Sequence, residues 1–121
     1  MVESLGLHHR ITRLAAEDTS ASMAKTFDVE VWLPSIDGYV EVSSVSNAQD
    51  YQARRGNIRY RPAAGKAAYV HTLNGSGLAT SRLVPALLEQ HQQPDGTVTV
   101  LEVLRRRRGR GRESLAPATA G

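Results

Sequence analysis

A turn sequence that runs directly into a helical pattern constrains this fold more than any other feature. The turn covers about residues 73–78 and contains the pair Asn74-Gly75. Six residues with apolar surface then recur at helical spacing: Ala79, Thr80, Leu83, Val84, Leu87 and Leu88. This double stripe is typical of a helix that packs on a sheet, which predicts a helix from near Leu78 to near Gln92.

Arg82 interrupts the start of this apolar helix. A guanidinium almost never enters a core without a matching anion, and Arg can hold a phosphate through two parallel hydrogen bonds. Arg82 is therefore a candidate phosphate-binding residue, although its side chain could also extend along the apolar surface to water. Pro85 cannot donate to the carbonyl of Ser81, so we expect a bend beside Arg82.

Alternating apolar and polar residues predict a half-buried strand over Phe27–Leu33. Pro34 ends this strand, and Asp37-Gly38 supplies a turn into a returning strand over Tyr39–Val45. The pair predicts an antiparallel hairpin with a loop of four or five residues. Three further strands are expected over residues 57–61, 67–73 and 97–103, with a short helical or irregular connection over residues 49–55. The fold class is therefore α+β, an antiparallel sheet with a packed helix.

Length and composition exclude several classes of protein. A chain of 121 residues supports one domain with a moderate core. It contains no cysteine, which excludes disulfides and thiolate metal sites. No apolar run approaches the roughly 20 residues that span a bilayer, so no membrane partner is expected.

The basic character of the chain belongs to its last residues. Residues 1–104 contain 9 basic and 11 acidic residues, net −2, whereas residues 105–121 contain 6 and 1, net +5. We expect residues 105–121 to form a disordered Arg-rich tail, because they carry too little apolar surface to offset their ordering entropy. Such a tail could attract nucleic acid non-specifically, or it could be a solvated segment with no selected role.

Several segments in register resemble the seryl-tRNA synthetases, a family of class II aminoacyl-tRNA synthetases. The segments that carry the resemblance are Thr26–Pro34, Glu41–Asn47, Gln52–Arg55, Asn57–Arg61 and His71–Ser76. The similarity runs from about residue 5 to residue 104. It implies that residues 1–104 form a partial class II synthetase catalytic core, the C-terminal part of the catalytic domain, with motif 3 at about residues 70–92.

The resemblance implies an ATP-dependent ligase. In this family serine attacks the α-phosphate of ATP to give seryl-adenylate, and the seryl group then passes to tRNA(Ser). The protein contributes positioning and charge stabilisation rather than covalent chemistry. Arg82 matches the catalytic arginine of motif 3, which holds the γ-phosphate of ATP.

The resemblance also assigns the other site residues. Glu41 and Ser44 match oxygen ligands of a Mg²⁺ ion between the phosphates, a role suited to hard ligands. Asn74 and Ser76 match the serine pocket, where a hydroxyl-reading site would reject alanine strongly. The implied ATP-binding residues are Glu41, Val42, Ser43, Ser44 and Arg82.

Taken without the resemblance, most of these residues have plain structural interpretations. Ser76 before a helix is an ordinary N-cap, and Asn74-Gly75 is a common turn pair. Glu41 on a strand is usually a solvated side chain. Glu41 and Ser44 are three apart, so they face opposite sides of a regular strand and reach one nucleotide only if a bulge intervenes.

The matched segments do not include motif 1, motif 2 or the tRNA-binding coiled coil of the family. We therefore expect this chain alone to be inactive, although serine, ATP and tRNA(Ser) are the implied substrates. The family forms homodimers through motif 1, so that interface is expected to be missing. A cytoplasmic location is expected, with an organelle as the alternative.

Three alternative functions remain open at the level of sequence. The chain could be half of a split enzyme that a complementing chain restores. It could also be a non-catalytic descendant that binds a nucleotide or a protein, or a nucleic-acid binder that acts through its tail. The pattern stops abruptly after Leu104, which leaves a fragment, a frameshifted product and a functional paralogue as alternatives.

Overall fold

The computed structural model describes residues 1–105 and 112–117. Within those ranges the strands are β1 (His9–Arg13), β2 (Lys25–Leu33), β3 (Gly38–Gln49), β4 (Arg59–Tyr60), β5 (Ala68–Tyr69), β6 (Thr72–Gly75), β7 (Val98–Thr99) and β8 (Ser114–Leu115). The α-helices are α1 (Tyr51–Gly56), α2 (Thr80–Gln90) and α3 (Glu102–Arg105). Short 3-10 turns lie at Glu3–Leu5 and Pro34–Ile36.

Four strands form the main sheet, in the order β1-β2-β3-β6. The backbone N–H of Leu14 donates to Thr26 and that of Trp32 donates to His8, so β1 and β2 run antiparallel. Strand β6 is antiparallel to β3, and β4–β5 and β7–β8 form two smaller antiparallel sheets. This architecture confirms the predicted fold class, an antiparallel sheet with few helices.

The chain forms two compact units. Unit 1 comprises Met1–Arg10, Val31–Val40 and Thr80–Gly121, and unit 2 comprises Ile11–Glu30 and Glu41–Ala79. Within the described ranges, no helix combines the length and the apolar character that crossing a membrane requires.

In unit 1, helix α2 buries a narrower stripe than its sequence predicts. Leu83 and Ala86 are buried, whereas Val84 is 49% exposed and Leu88 is 41% exposed. A side-chain hydrogen bond holds the C-terminal end of the helix in place: Gln90 Nε2 donates to the carbonyl of Trp32 at 2.6 Å. The other apolar core residues of this unit are Val2, Leu5, Leu7 and Val31.

In unit 2, a small core surrounds β3. Its buried apolar residues are Val42, Ala48 and Ala53. The hydroxyls of Thr26 and Ser46 form a buried hydrogen bond of 2.9 Å, so this core also contains a satisfied polar pair. Most of these buried apolar and hydroxyl-bearing residues belong to β3, so β3 is the central strand of the unit 2 core.

The predicted central hairpin is confirmed, since β2 and β3 are joined by residues 34–37. The predicted strand over residues 67–73 is instead two strands, β5 paired with β4 and β6 paired with β3. The predicted strand over residues 97–103 is wrong beyond Thr99, because α3 begins at Glu102. Strand β1 was not predicted, since its His, Arg and Thr residues hide any apolar alternation at this sheet edge.

Part of the predicted tail lies within the described residues. Ser114–Leu115 pairs with Val98–Thr99, and the N–H of Val100 donates to the carbonyl of Glu113 at 2.8 Å. Residues 106–111 and 118–121, which carry most of the arginines, lie outside the described residues. The division at residue 104 and the disorder of the tail therefore stay predictions.

Candidate active-site wall

The loop that follows β6 runs along β3 and is held there by backbone hydrogen bonds. The N–H of Ser76 donates to the carbonyl of Ser44 at 3.3 Å, and the N–H of Ala79 donates to Val42 at 2.7 Å. These contacts place residues 76–79 beside residues 41–44. We call these two segments together the β3 wall.

A buried side chain reinforces the β3 wall. Ser43 is 5% exposed, and its Oγ donates to the carbonyl of Ser76 at 2.8 Å. A hydroxyl in this position gives the loop carbonyl a hydrogen-bond donor. Ser43 therefore fixes the loop and has a structural role in addition to the nucleotide role that the resemblance implies.

Gly75 allows the close approach of β6 to β3. It lies opposite Val45, and a Cβ added at Gly75 would be 3.3 Å from Val45 Cγ2. The serine-pocket candidates flank this glycine: Asn74 lies opposite Ser46, and both Asn74 and Ser76 are exposed. The structure thus brings the segment that contains Ser76 beside the nucleotide segment, with both candidate side chains accessible.

Glu41 and Ser44 are half-buried residues of β3. The only register shift between β3 and β6 in the described residues lies between Asn47 and Gln49, beyond both candidates. Burial nevertheless fails to alternate at the adjacent pair Val42 and Ser43, which are both buried. A shared metal-facing side for Glu41 and Ser44 stays a prediction.

Arg82 is the third residue of α2 and belongs to unit 1. It is exposed, which agrees with the alternative in which its side chain reaches water, so burial does not require an anion partner for this guanidinium. The buried positions of the helix are Leu83 and Ala86. The catalytic assignment of Arg82 consequently depends on the resemblance.

The β3 wall carries two oxygen-bearing side chains that the resemblance assigns to a magnesium ion. Residues 1–105 and 112–117 contain no group of three or more His, Asp or Glu side chains that could hold a metal. Glu41 and Ser44 offer one carboxylate and one hydroxyl, and Mg²⁺ is commonly bound by one or two protein oxygens together with substrate phosphates. Both side chains are thus oxygen donors of the kind that Mg²⁺ takes beside a nucleotide, and their sharing of one ion stays a prediction.

Two features of unit 2 were missed from sequence. Asp28 on β2 has a buried Oδ1 with no hydrogen-bond partner in the described residues, although its place in an alternating strand indicated a solvated side chain. Residues 51–71 form a basic surface that the near-neutral total of the body concealed. Counting charges over short windows of the sequence would have found the basic surface. No sequence signal shows that the Asp28 carboxylate is partly buried.

Comparison with known protein families identifies the fold. Residues 1–91 match the model of a family described as tRNA synthetase class II core domain (G, H, P, S and T). This chain belongs to that family. The match includes β3, the β3 wall and all of α2, so the class II resemblance inferred from short segments is confirmed.

Two curated proteins with high sequence similarity to this chain are serine--tRNA ligases. The chain is 63% identical to serine--tRNA ligase 2 of Clostridium acetobutylicum over 107 residues, covering 88% of this chain and 25% of the relative. It is 56% identical to the serine--tRNA ligase of Fervidobacterium nodosum over 105 residues, covering 87% of this chain and 25% of the relative. The chain thus spans about a quarter of the length of the curated relatives it matches.

Solved structures agree with this assignment. The seryl-tRNA synthetase from Pyrococcus horikoshii, in a complex with ATP, superposes with a TM-score of 0.88 at 40% identity. That superposition covers 97% of this chain and 26% of the other. The cytoplasmic serine-tRNA ligase from Naegleria fowleri, in a complex with AMP, superposes with a TM-score of 0.76 at 37% identity. That superposition covers 85% of this chain and 24% of the other. The predicted resemblance to seryl-tRNA synthetases is confirmed.

Proposed function

We propose that this chain supplies one wall of a seryl-tRNA synthetase active site. The observation that carries the proposal is the bonding of the β3 wall, in which Ser43 Oγ contacts the carbonyl of Ser76. That bond joins the segment assigned to the nucleotide with the segment assigned to serine. Two ligands that react with each other must bind side by side, and this geometry supports such an arrangement.

Each side chain has a defined part in the proposal. The Glu41 carboxylate and the Ser44 hydroxyl would bind a Mg²⁺ ion that bridges the phosphates of ATP, where it would neutralise their charge. The Arg82 guanidinium would hold the γ-phosphate. The exposed side chains of Asn74 and Ser76 would read the hydroxyl of serine, and leaving them unpaired would penalise alanine.

The proposed reaction is the joining of serine to tRNA(Ser) through seryl-adenylate in the cytoplasm, as the family implies. The family forms homodimers through motif 1, which the matched segments do not include. The 121 residues match about a quarter of each relative, so we propose that they do not activate serine by themselves. A complementing chain with the remaining catalytic segments would restore the reaction.

ATP-induced thermal stabilisation tests the proposed site. A ligand that binds only the folded state raises its free energy of unfolding, so Mg²⁺ and ATP together should raise the Tm of the chain. Arg82→Ala should abolish that rise because the γ-phosphate loses its cation. Arg13→Ala is the matched control, since it removes the same charge from a residue outside the site, and it should keep the rise.

An unchanged ATP response in Arg82→Ala would contradict the assignment of the γ-phosphate. Serine-dependent exchange of pyrophosphate into ATP separates the remaining alternatives. Exchange by this chain alone would refute its inactivity, whereas exchange only after mixing with a complementing chain would support a split enzyme. An ATP response without exchange in the mixture would favour a non-catalytic, nucleotide-binding descendant.

A further inference from the structure

The basic residues of the body are concentrated in one segment. Residues 51–71 contain four Arg, one Lys and three Tyr, with no Asp or Glu. The other residues up to position 104 contain four basic and eleven acidic side chains. The segment therefore has a net charge of +5 on a body that otherwise has a net charge of −7. We call residues 51–71 the cationic surface.

The cationic surface is a structured part of unit 2. Helix α1 is anchored by Ala53, which is fully buried, and the N–H of Ile58 donates to the carbonyl of Ala53 at 2.9 Å. Strands β4 and β5 then pair with Arg59 opposite Tyr69. Backbone hydrogen bonds thus connect the helix with the start of the hairpin. Arg54, Arg55 and Arg59 lie on these elements, and Arg61 directly follows β4.

Tyrosine rings hold several of the guanidinium groups in place. The Cζ atoms of Arg54 and Arg59 lie 4.8 and 4.6 Å from the centroid of the Tyr69 ring, and that of Arg55 lies 3.4 Å from the Tyr51 ring. Arg59 Nη2 also donates to the Tyr69 hydroxyl at 2.7 Å. Ordering of this kind reduces the entropy lost when a cation engages a phosphate.

We propose that the cationic surface binds single-stranded RNA. Exposed Arg side chains can contact successive phosphates, and the Tyr60 ring, which is 52% exposed, can stack on a base. A membrane surface fits less well, because α1 has six residues and provides no long amphipathic face. The proposed function already includes an RNA substrate, tRNA(Ser), and this inference adds an RNA-binding surface outside the β3 wall that binds single strands without that reaction.

One acidic side chain beside the cationic surface, that of Asp50, competes with a ligand for one of its arginines. Asp50 Oδ2 lies 2.7 Å from Arg54 Nη2, in an ion pair one helical turn apart. The hydrogen bond with Arg54 holds the pKa of Asp50 below its usual value. The acid remains ionised at neutral pH and competes with RNA phosphate for Arg54. Removing its charge should strengthen RNA binding.

Fluorescence anisotropy with a labelled single strand of about 12 nucleotides of mixed-sequence RNA tests the proposal. The Arg55→Gln, Arg61→Gln double variant should bind at least about tenfold more weakly, with a salt dependence reduced by roughly one to two ions. Tyr60→Ala should weaken binding about fivefold or more. Asp50→Asn should bind more tightly. Circular dichroism melting verifies that each variant folds.

Matched controls separate this surface from other sources of affinity. Arg13→Gln with Lys25→Gln removes two charges elsewhere in unit 2, and this variant should bind RNA nearly as well as the parent chain. The tail is controlled by Ser substitutions at Arg106, Arg107, Arg108 and Arg110. Retained binding in the Arg55, Arg61 variant, or a loss confined to the tail variant, would overturn the proposal.

Two further outcomes also decide the matter. Tighter binding to phosphatidylserine vesicles than to RNA would overturn the proposal in favour of a membrane surface. An unchanged affinity in Asp50→Asn would contradict the competition for Arg54. ATP-induced stabilisation of the same variants reports the β3 wall separately, so failure of one site is distinguishable from failure of the other.

Discussion

The β3 wall and the cationic surface lie in the same compact unit but are constructed on opposite principles. In the β3 wall a polar side chain turns inward, as Ser43 does when it donates to the carbonyl of Ser76. On the cationic surface the guanidinium groups stay exposed and lie against tyrosine rings. Inward polar groups fix a backbone, whereas exposed cations attract a partner.

This difference predicts two kinds of mutational effect. Changes in and beneath the β3 wall should alter the free energy of unfolding, because buried groups lose their partners or receive an unpaired charge. Changes on the cationic surface should leave stability within about 0.5 kcal/mol and alter RNA affinity instead. The variants below test that division, beginning with the largest expected effect.

Val42→Asp should produce the greatest loss of stability. Val42 is fully buried in β3, so the substitution places a carboxylate in the core of unit 2. We expect the free energy of unfolding to fall by more than about 3 kcal/mol, measured by urea denaturation. Val45→Asp is the matched control on the same strand. Val45 is 44% exposed, so equal losses in the two variants would refute the described burial.

The buried hydroxyl pair beneath the wall should show strong coupling. Thr26→Val leaves the Ser46 hydroxyl buried without its partner, at a cost of about 1–3 kcal/mol. Adding Ser46→Ala removes that unsatisfied group, so the double variant should recover most of the loss. A double-mutant cycle of unfolding free energies measures this coupling. Additive losses would show that the two hydroxyls do not bond each other.

Ser43→Ala should have a smaller effect on stability. It removes the hydrogen bond to the carbonyl of Ser76, which we expect to cost about 1 kcal/mol in the free energy of unfolding. The loop should also loosen, so ATP-induced stabilisation should decrease. Ser20→Ala is the control, since Ser20 is an exposed hydroxyl of the same unit. A normal ATP response in Ser43→Ala would separate the bond from nucleotide binding.

The smallest effect should be the pH dependence contributed by Asp50. Its pKa in the folded chain lies below 3.8, because Arg54 hydrogen-bonds its ionised form. A depressed pKa stabilises the folded state above pH 3.8, and this contribution is lost as the pH falls through the folded-state value. Asp50→Asn should therefore lower the urea midpoint at neutral pH, and this difference should shrink as the pH falls below 3.8. A constant difference would exclude this linkage.

The central hairpin and α2 could be predicted because their signals are local. Alternation over Phe27–Leu33 and a turn at Asp37-Gly38 specify two strands without knowledge of the rest of the chain. Strand β8 could not be predicted, since its pairing with β7 depends on a contact made across intervening residues. Helix α3 likewise takes the place of the end of the strand that was expected over residues 97–103. Strand β7 pairs with β8 over only two residues, so the ladder does not extend to residue 103.

The candidate site was accessible from sequence through its resemblance, not through its chemistry. No periodicity indicates that Ser43 donates to the carbonyl of Ser76, because that bond joins residues 33 positions apart. The sequence also left open whether Arg82 is buried or exposed, since an apolar stripe does not specify which residues at its borders are covered. The arginine–tyrosine contacts depend on the β4–β5 register, which the sequence leaves open.

A crossed titration tests most directly that the proposed ATP site and the cationic surface serve different ligands. The parent chain, Arg82→Ala, and the Arg55→Gln, Arg61→Gln variant are each titrated with Mg²⁺ and ATP and, separately, with the labelled RNA. We predict that Arg82→Ala loses only the ATP response and that the double variant loses only RNA affinity. Loss of both responses in either variant, or of neither in both, would contradict this division.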